Sequence, residues 1–402
     1  MQDHKSETFS AFPKTLIYAL FFMWGFVWNL FNILAAFFQE TFELSNTETS
    51  LGTSLSFLAF FLMSYPSKIL INKLGTQKAI SAGAFIVALG LLVFVPASLL
   101  RNYNIFLVGL FVLFSGITVL QTVCNPYIGV LGTKKNRSAR INFAQGIGAI
   151  GAALTAPVGG WFILQLFDHD VFGGIKWFYI IMAVLFLLVS MLVFKTDMPH
   201  NPMEIKSSDQ KLADRSGAFR YPHFVVGLVI MFIYMGAEAI LYQLMTPYFK
   251  EIAGISTNMA VKYSAFIFYG LMIGRLLGAG IMTRFNASIV LGISTFISSV
   301  LVIGSIVIGG IYGVYLIMGI GLFISIVFAS IFSLATTNLG RYTNQASSFL
   351  IMGISGGFFI PLLFGIVADS FSLRISLVVV VIPLLLTSIY GFAFNYFLKK
   401  EK

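Results

Sequence analysis

Residues 196–222, TDMPHNPMEIKSSDQKLADRSGAFRYP, form the longest polar stretch of the chain. Its prolines, serines and charges of both signs mark a solvated connector rather than part of a packed element. Six long apolar runs precede it, at about 15–39, 47–71, 77–98, 104–130, 140–167 and 175–195. Six more follow, at about 223–249, 259–283, 287–308, 311–338, 344–367 and 373–398. A helix needs about 20 apolar residues to cross roughly 30 Å of hydrocarbon, so every run is long enough. The first run lacks a small-residue cleavage site and is too long for a signal peptide's apolar core, so it reads as retained.

Composition agrees. Of 402 residues, 58% are hydrophobic and only 10% charged, and Phe alone occurs 43 times. Soluble proteins carry about 25% charged residues, and this much apolar surface would not stay dispersed in water. The solvent is therefore a bilayer. The expected fold class is an all-α integral membrane protein of twelve transmembrane helices. It divides into a six-helix bundle at 1–195, a linker at 196–222 and a second six-helix bundle at 223–402.

The net charge of +10 raises nucleic acid as a partner, but its distribution explains it better. With the N-terminus inside, nineteen of the 25 lysines and arginines fall in cytoplasmic segments. Arg101, Lys176, Lys250, Lys262 and Arg374 fall outside, and Arg275 sits within a span. That is a positive-inside bias, which places both termini in the cytoplasm. No nucleic-acid partner is expected.

The halves echo each other. The fifth span reads FAQGIGAIGAALTAPVGGWF, with small residues, then Pro157, Gly159 and Gly160; the eleventh reads FLIMGISGGFFIPLLFGIVAD, with Gly356, Gly357, Pro361 and Gly365. Two related six-helix halves joined by a cytoplasmic linker describe the major facilitator architecture, with its solute site where the halves meet. Gly270, Gly274 and Gly278, at spacing four, suit the close helix approach that packing in lipid requires.

Polar residues at membrane depth carry the chemistry. Of fifteen acids, only Glu238, in FIYMGAEAILYQL, lies mid-span. Tyr234, Glu238 and Tyr242 recur every four residues and share one helix face, and an ionisable group there is a functional candidate. The other reading is a carboxyl kept protonated or paired with a neighbouring helix. In the first span, WGFVWNLFNIL places Asn29 and Asn32 on nearly one face; in the fourth, VLQTVCNPYIGVLG places Gln121 and Asn125 one turn apart. Amides both donate and accept hydrogen bonds, matching sugar hydroxyls, and Trp24, Trp28 and Tyr127 could stack on a pyranose ring. The alternative is that the amides bridge helices. Arg275 and Arg284, in GRLLGAGIMTRF, and Lys73, in SKILINKLGTQK, read as gating residues. That loop resembles the major facilitator loop signature, with Asn72 where an aspartate is usual.

His4, His169, His200 and His223 fall in tails, loops or a helix end, and the one cysteine, Cys124, excludes an internal disulfide. No metal site or cofactor is expected, and no Ser/His/Asp set or carboxylate pair suggests an enzyme.

WGFVWNLFNIL, LQTVCNPYIGVLG and ARINFAQ in the first half, with YMGAEA, IGRLLGAGIMTRF, IFSLATTNLG and MGISGGFFIPLLFGIVAD in the second, resemble the fucose permease family of sugar–proton symporters. That family also holds bacterial glucose/galactose and N-acetylglucosamine transporters. The resemblance runs nearly end to end and adds Gln145, the last residue of ARINFAQ, to the candidate site. It implies a monomeric sugar importer of the bacterial cytoplasmic membrane, with protons and lipid as its other partners. Gln121 looks like the glucose/galactose branch; the fucose branch has glutamate there. Most relatives carry a coupling aspartate where this chain has Asn32, and an asparagine common in span five is Gly148. Trp28 replaces a smaller residue. Amides at 32 and 121 cannot take up a proton near neutral pH, so either Glu238 couples transport to protons or the protein is a uniporter. An exporter of drugs or metabolites and a non-transporting sugar sensor are the further readings. The short tails, without an effector domain, count against the sensor.

Overall fold

The computed structural model describes residues 11–28, 30–44, 46–167, 170–198 and 217–399. Most of the expected linker, 199–216, therefore lies outside the described residues. All regular structure among the described residues is helical. In chain order the helices are α1 (Ala11–Trp28), α2 (Leu30–Thr41), α3 (Asn46–Leu100), α4 (Tyr103–Val130), α5 (Arg137–Leu154), α6 (Val171–Lys195), α7 (Pro222–Gln243) and α8 (Met245–Ala253). They continue with α9 (Thr257–Arg284), α10 (Ala287–Ile308), α11 (Gly310–Ile324), α12 (Val327–Ala335), α13 (Thr343–Met352), α14 (Gly356–Ser370) and α15 (Val378–Lys399). Among the described residues, ten helical stretches are long and apolar enough to cross a membrane.

The chain resolves into two compact units. The first comprises Met1–Lys134 with Ile147–Ala213; the second comprises Lys135–Gly146 with Asp214–Lys402. The opening residues of α5 thus belong to the second unit and its remainder to the first.

In the first unit, α3 is 55 residues long, far more than one crossing needs. Its helical course is interrupted at Gly75, whose φ of 77° and ψ of 170° suit a residue without a Cβ. Gly75 lies in SKILINKLGTQK, between the two spans read there from the sequence. Against α1, α5 packs backbone to backbone: a Cβ on Gly25 would stand 2.0 Å from the Gly148 carbonyl oxygen, and one on Gly151 would stand 2.1 Å from that of Phe22. Beyond Leu154 the helix widens into a π-helical stretch, Thr155–Gln165, around Pro157, which cannot supply an N–H. The Thr155 hydroxyl ties its start to α1 by donating to the Phe26 carbonyl at 2.8 Å.

In the second unit, the glycine stripe of α9 lies against α11 and the start of α12. A Cβ would approach the Leu322 nitrogen to 2.8 Å from Gly270, the Leu322 carbonyl oxygen to 2.2 Å from Gly274, and Ile326 Cγ2 to 2.1 Å from Gly278. The small residues permit an approach that any side chain would prevent. The tenth apolar run is not one helix: α11 ends at Ile324 and α12 begins at Val327. The two residues between them, Ser325 and Ile326, form a turn.

Gly274→Val would force a branched side chain into the Leu322 carbonyl and destabilise the protein by ~1–3 kcal/mol. Gly280→Ala, where nothing stands within 4 Å of the added Cβ, should leave it unchanged. Thermal unfolding in detergent separates the two.

Candidate substrate and coupling sites

Gln121 and Asn125 both lie on the buried face of α4. Asn125 turns part of its amide back onto its own helix: Nδ2 donates to the Gln121 carbonyl at 3.0 Å. Gln121 differs. It is 5% exposed, and the bond from Asn125 engages its backbone carbonyl and not its side chain. Its carboxamide carries two donors and two acceptor lone pairs. One turn and two turns earlier, Thr118 and Phe114 continue the face. Thr118 bonds back to the Phe114 carbonyl at 2.7 Å, so it does not compete for the glutamine.

Beside Phe114 stands Trp28, half-buried, with its ring 5.1 Å from Phe114 in an edge-on contact and 5.3 Å from Phe60. This aromatic cluster holds Trp28 in place. Trp24 is buried against Phe21 at 4.1 Å. A Cβ on Gly148 would come within 3.9 Å of Trp24 Nε1 and 3.1 Å of the Phe21 carbonyl oxygen. Position 148 therefore tolerates a larger side chain only if α1 gives way. Asn29 lies outside the described residues, and so does the side chain of Asn32, whose backbone is helical within α2.

The second unit gathers a different set. On α7, Tyr234 and Glu238 are buried, and the Tyr242 hydroxyl donates to Glu238 Oε1. The Tyr234 hydroxyl, one turn before Glu238 on the same helix face, donates to the Ile324 carbonyl at 3.0 Å. Arg275, on α9, attracts Glu238 through space. Its Nε donates to the Ser325 carbonyl at 3.1 Å, and its Nη1 donates to the Gln145 carbonyl at 3.4 Å. The carbonyls of Ile324 and Ser325, at the break between α11 and α12, are thus bonded by Tyr234 and Arg275. Backbone carbonyls in a membrane interior must find such donors, and side chains on α7 and α9 provide them here. Gln145 enters this cluster through its backbone.

Sequence reasoning missed a neighbouring ladder. Arg137 donates through Nη1 to the Thr336 carbonyl and through Nη2 to its hydroxyl, both at 2.9 Å. The Ser138 hydroxyl meets that of Ser333 at 2.8 Å, and Asn142 Nδ2 meets Ser330 Oγ at 3.4 Å. Ser330, Ser333 and Thr336 fall at spacing three on α12, a signal present in SIFSLAT. Arg137 Nε and Asn142 Oδ1 stay buried without a partner among the described residues, so the ladder is incompletely satisfied. Arg284 and Lys73 are exposed; of the three residues read as gating, only Arg275 joins a polar cluster among the contacts described.

This helical framework matches a known class. The Major Facilitator Superfamily profile covers residues 16–360, and the chain belongs to that family. It is 29% identical over 399 residues to a glucose/galactose transporter of Brucella abortus, covering 97% of this chain and 95% of that one. It is 31% identical over 382 residues to the L-fucose-proton symporter of Escherichia coli, covering 89% and 87%. A crystal structure of the major facilitator transporter FucP in the outward conformation superposes with a TM-score of 0.88 at 29% identity, covering 97% and 99% of the two chains. A proton:xylose symporter, XylE, at 14% identity and a TM-score of 0.75, shares the fold. The protein is a multi-pass membrane transporter, and the family is one of carriers rather than enzymes.

Arg137→Ala should lower the thermal unfolding midpoint by removing two bonds to Thr336, worth ~1–3 kcal/mol together. Arg137→Lys should restore little, since an ammonium lacks the planar fork that reaches both acceptors.

Proposed function

We propose that the protein imports a sugar or sugar derivative across the bacterial cytoplasmic membrane by alternating access, driven by protons taken up at Glu238. In this reading twelve spans form six-helix halves, 1–195 and 223–402, joined by the linker 196–222, with both termini in the cytoplasm. The solute is held by Asn29, Asn32, Gln121 and Asn125, with Trp28 against its ring. The names of the glucose/galactose and fucose relatives support the substrate class. The observation that carries the reading is Gln121 on the buried face of α4, whose carboxamide has two donors and two acceptor lone pairs to offer sugar hydroxyls.

Coupling falls to Glu238 because the amides at 32 and 121 do not titrate. It is buried at mid-span, bonded by Tyr242 and faced by Arg275. A uniporter is the second reading, favoured by the same two amides. Bound sugar would shift the carrier between states through contacts that differ between them.

Uptake of labelled hexoses, N-acetylhexosamines and disaccharides into proteoliposomes under an imposed pH gradient tests the substrate class; no uptake of any of them would refute it. Gln121→Ala should raise the KM for the transported sugar about tenfold, the worth of roughly one hydrogen bond, with membrane insertion unchanged. Glu238→Gln should abolish accumulation against a gradient and leave sugar exchange intact. Unchanged accumulation in that variant would take the coupling role from Glu238; wild-type exchange without accumulation under a pH gradient would select the uniporter.

A further inference from the structure

The Glu238 cluster is arranged as a switch on the helix break. A tyrosine hydroxyl has one proton to donate, and that of Tyr234 is engaged by the Ile324 carbonyl at 3.0 Å. Any bond between Tyr234 and the nearby Glu238 carboxyl must then take its proton from the glutamic acid side. The Tyr242 donor reaches the other way, into Oε1. Neutral Glu238 satisfies every group in this arrangement. It accepts from Tyr242, has its own proton to offer the Tyr234 oxygen one turn earlier, and leaves Arg275 to the Ser325 and Gln145 carbonyls.

We propose that loss of the Glu238 proton unties the α11–α12 break, because the carboxylate draws the Tyr234 hydroxyl from Ile324 and the Arg275 guanidinium from Ser325 and Gln145. The reading rests on Glu238 as the proton carrier and adds what its proton controls. In the step, the carboxylic O–H bond breaks, its electron pair stays on the carboxylate and the proton passes to water. A carboxylate is a stronger acceptor for a hydroxyl or a guanidinium than a neutral carbonyl is. Both donors therefore have reason to leave the backbone. The carbonyls they abandon lie in a membrane interior, where unbonded backbone is unfavourable. The break must then re-form its bonds along the helix or between helices. Arg275 thereby acts as a positioning residue whose partner changes with the proton. The titratable and charged groups facing Glu238 are Tyr234 and Tyr242 from α7 and Arg275 from α9. Among the described residues, the other helices packed on α7 (α8, α12, α13, α14 and α15) bring no further charged group against it.

The geometry of the break makes the change consequential. Gly274 faces it so closely that an added Cβ would lie 2.4 Å from Ser325 Oγ. Downstream, α12 carries the ladder to Arg137, Ser138 and Asn142. A rearrangement at Ser325–Ile326 is passed on by rigid helix to those contacts.

Hydrogen–deuterium exchange of residues 322–332 in the purified protein, read by mass spectrometry across pH, tests the switch without any sugar. Corrected for the intrinsic pH dependence of amide exchange, protection in wild type should change about tenfold as Glu238 titrates, roughly one hydrogen bond's worth. Glu238→Gln should show one protection level at all pH values. Tyr234→Phe, which keeps the ring and its packing, should retain a reduced pH response carried by Arg275; Arg275→Lys should do the same through Tyr234. A pH response equal in wild type and Glu238→Gln, or none in wild type, would overturn the proposal. Because the readout needs no substrate, failure to transport any tested sugar would count against the substrate class and leave this inference standing.

Discussion

The interruption between α11 and α12 depends on hydrogen bonds from outside its own helix. Two carbonyls in the interior of a membrane bundle, those of Ile324 and Ser325, are each caught by a side chain from a different neighbour. Tyr234 reaches Ile324 from α7 and Arg275 reaches Ser325 from α9. Water would satisfy such carbonyls at a surface; in lipid the protein must do so itself. Both donors also sit beside the one mid-span carboxyl. A structural requirement of the backbone and a titratable group thus draw on the same pair of donors, and that shared use makes the cluster responsive to a proton.

Much of this was legible in the sequence. The apolar runs, the polar connector and the asymmetry of lysine and arginine specify a polytopic helical protein, because bilayer thickness and topology act on composition directly. The stripe of Gly270, Gly274 and Gly278 announced a close helix contact, since small side chains at spacing four have few other uses in lipid. Glu238 stood out for the same reason: burying a carboxyl is unfavourable enough that its presence implies a role.

The helix break was not legible. IGLFISIVFASIFSLA contains neither proline nor a second glycine near Ser325, and its local preference is for one continuous helix. The interruption is met by donors far away in sequence, Tyr234 and Arg275, which a local reading does not see. The ladder from Arg137 to α12 was hidden by ordinary-looking serines and threonines, which usually bond back to their own helix, as Thr336 does to the Phe332 carbonyl at 2.6 Å. Asn125 illustrates the converse. Its amide looked free to line a cavity, yet one donor folds back onto Gln121's carbonyl.

The account turns on whether Glu238 is neutral when Tyr234 and Arg275 hold the break. Infrared difference spectroscopy of the protein in lipid, comparing wild type with Glu238→Gln, reads this directly through the C=O stretch of a protonated carboxyl. The expected result is a carboxylic acid band missing from the variant, lost as pH rises together with a shift in tyrosine ring modes. A spectrum with no acid band assignable to Glu238 at any pH, its carboxylate present throughout, would contradict the account.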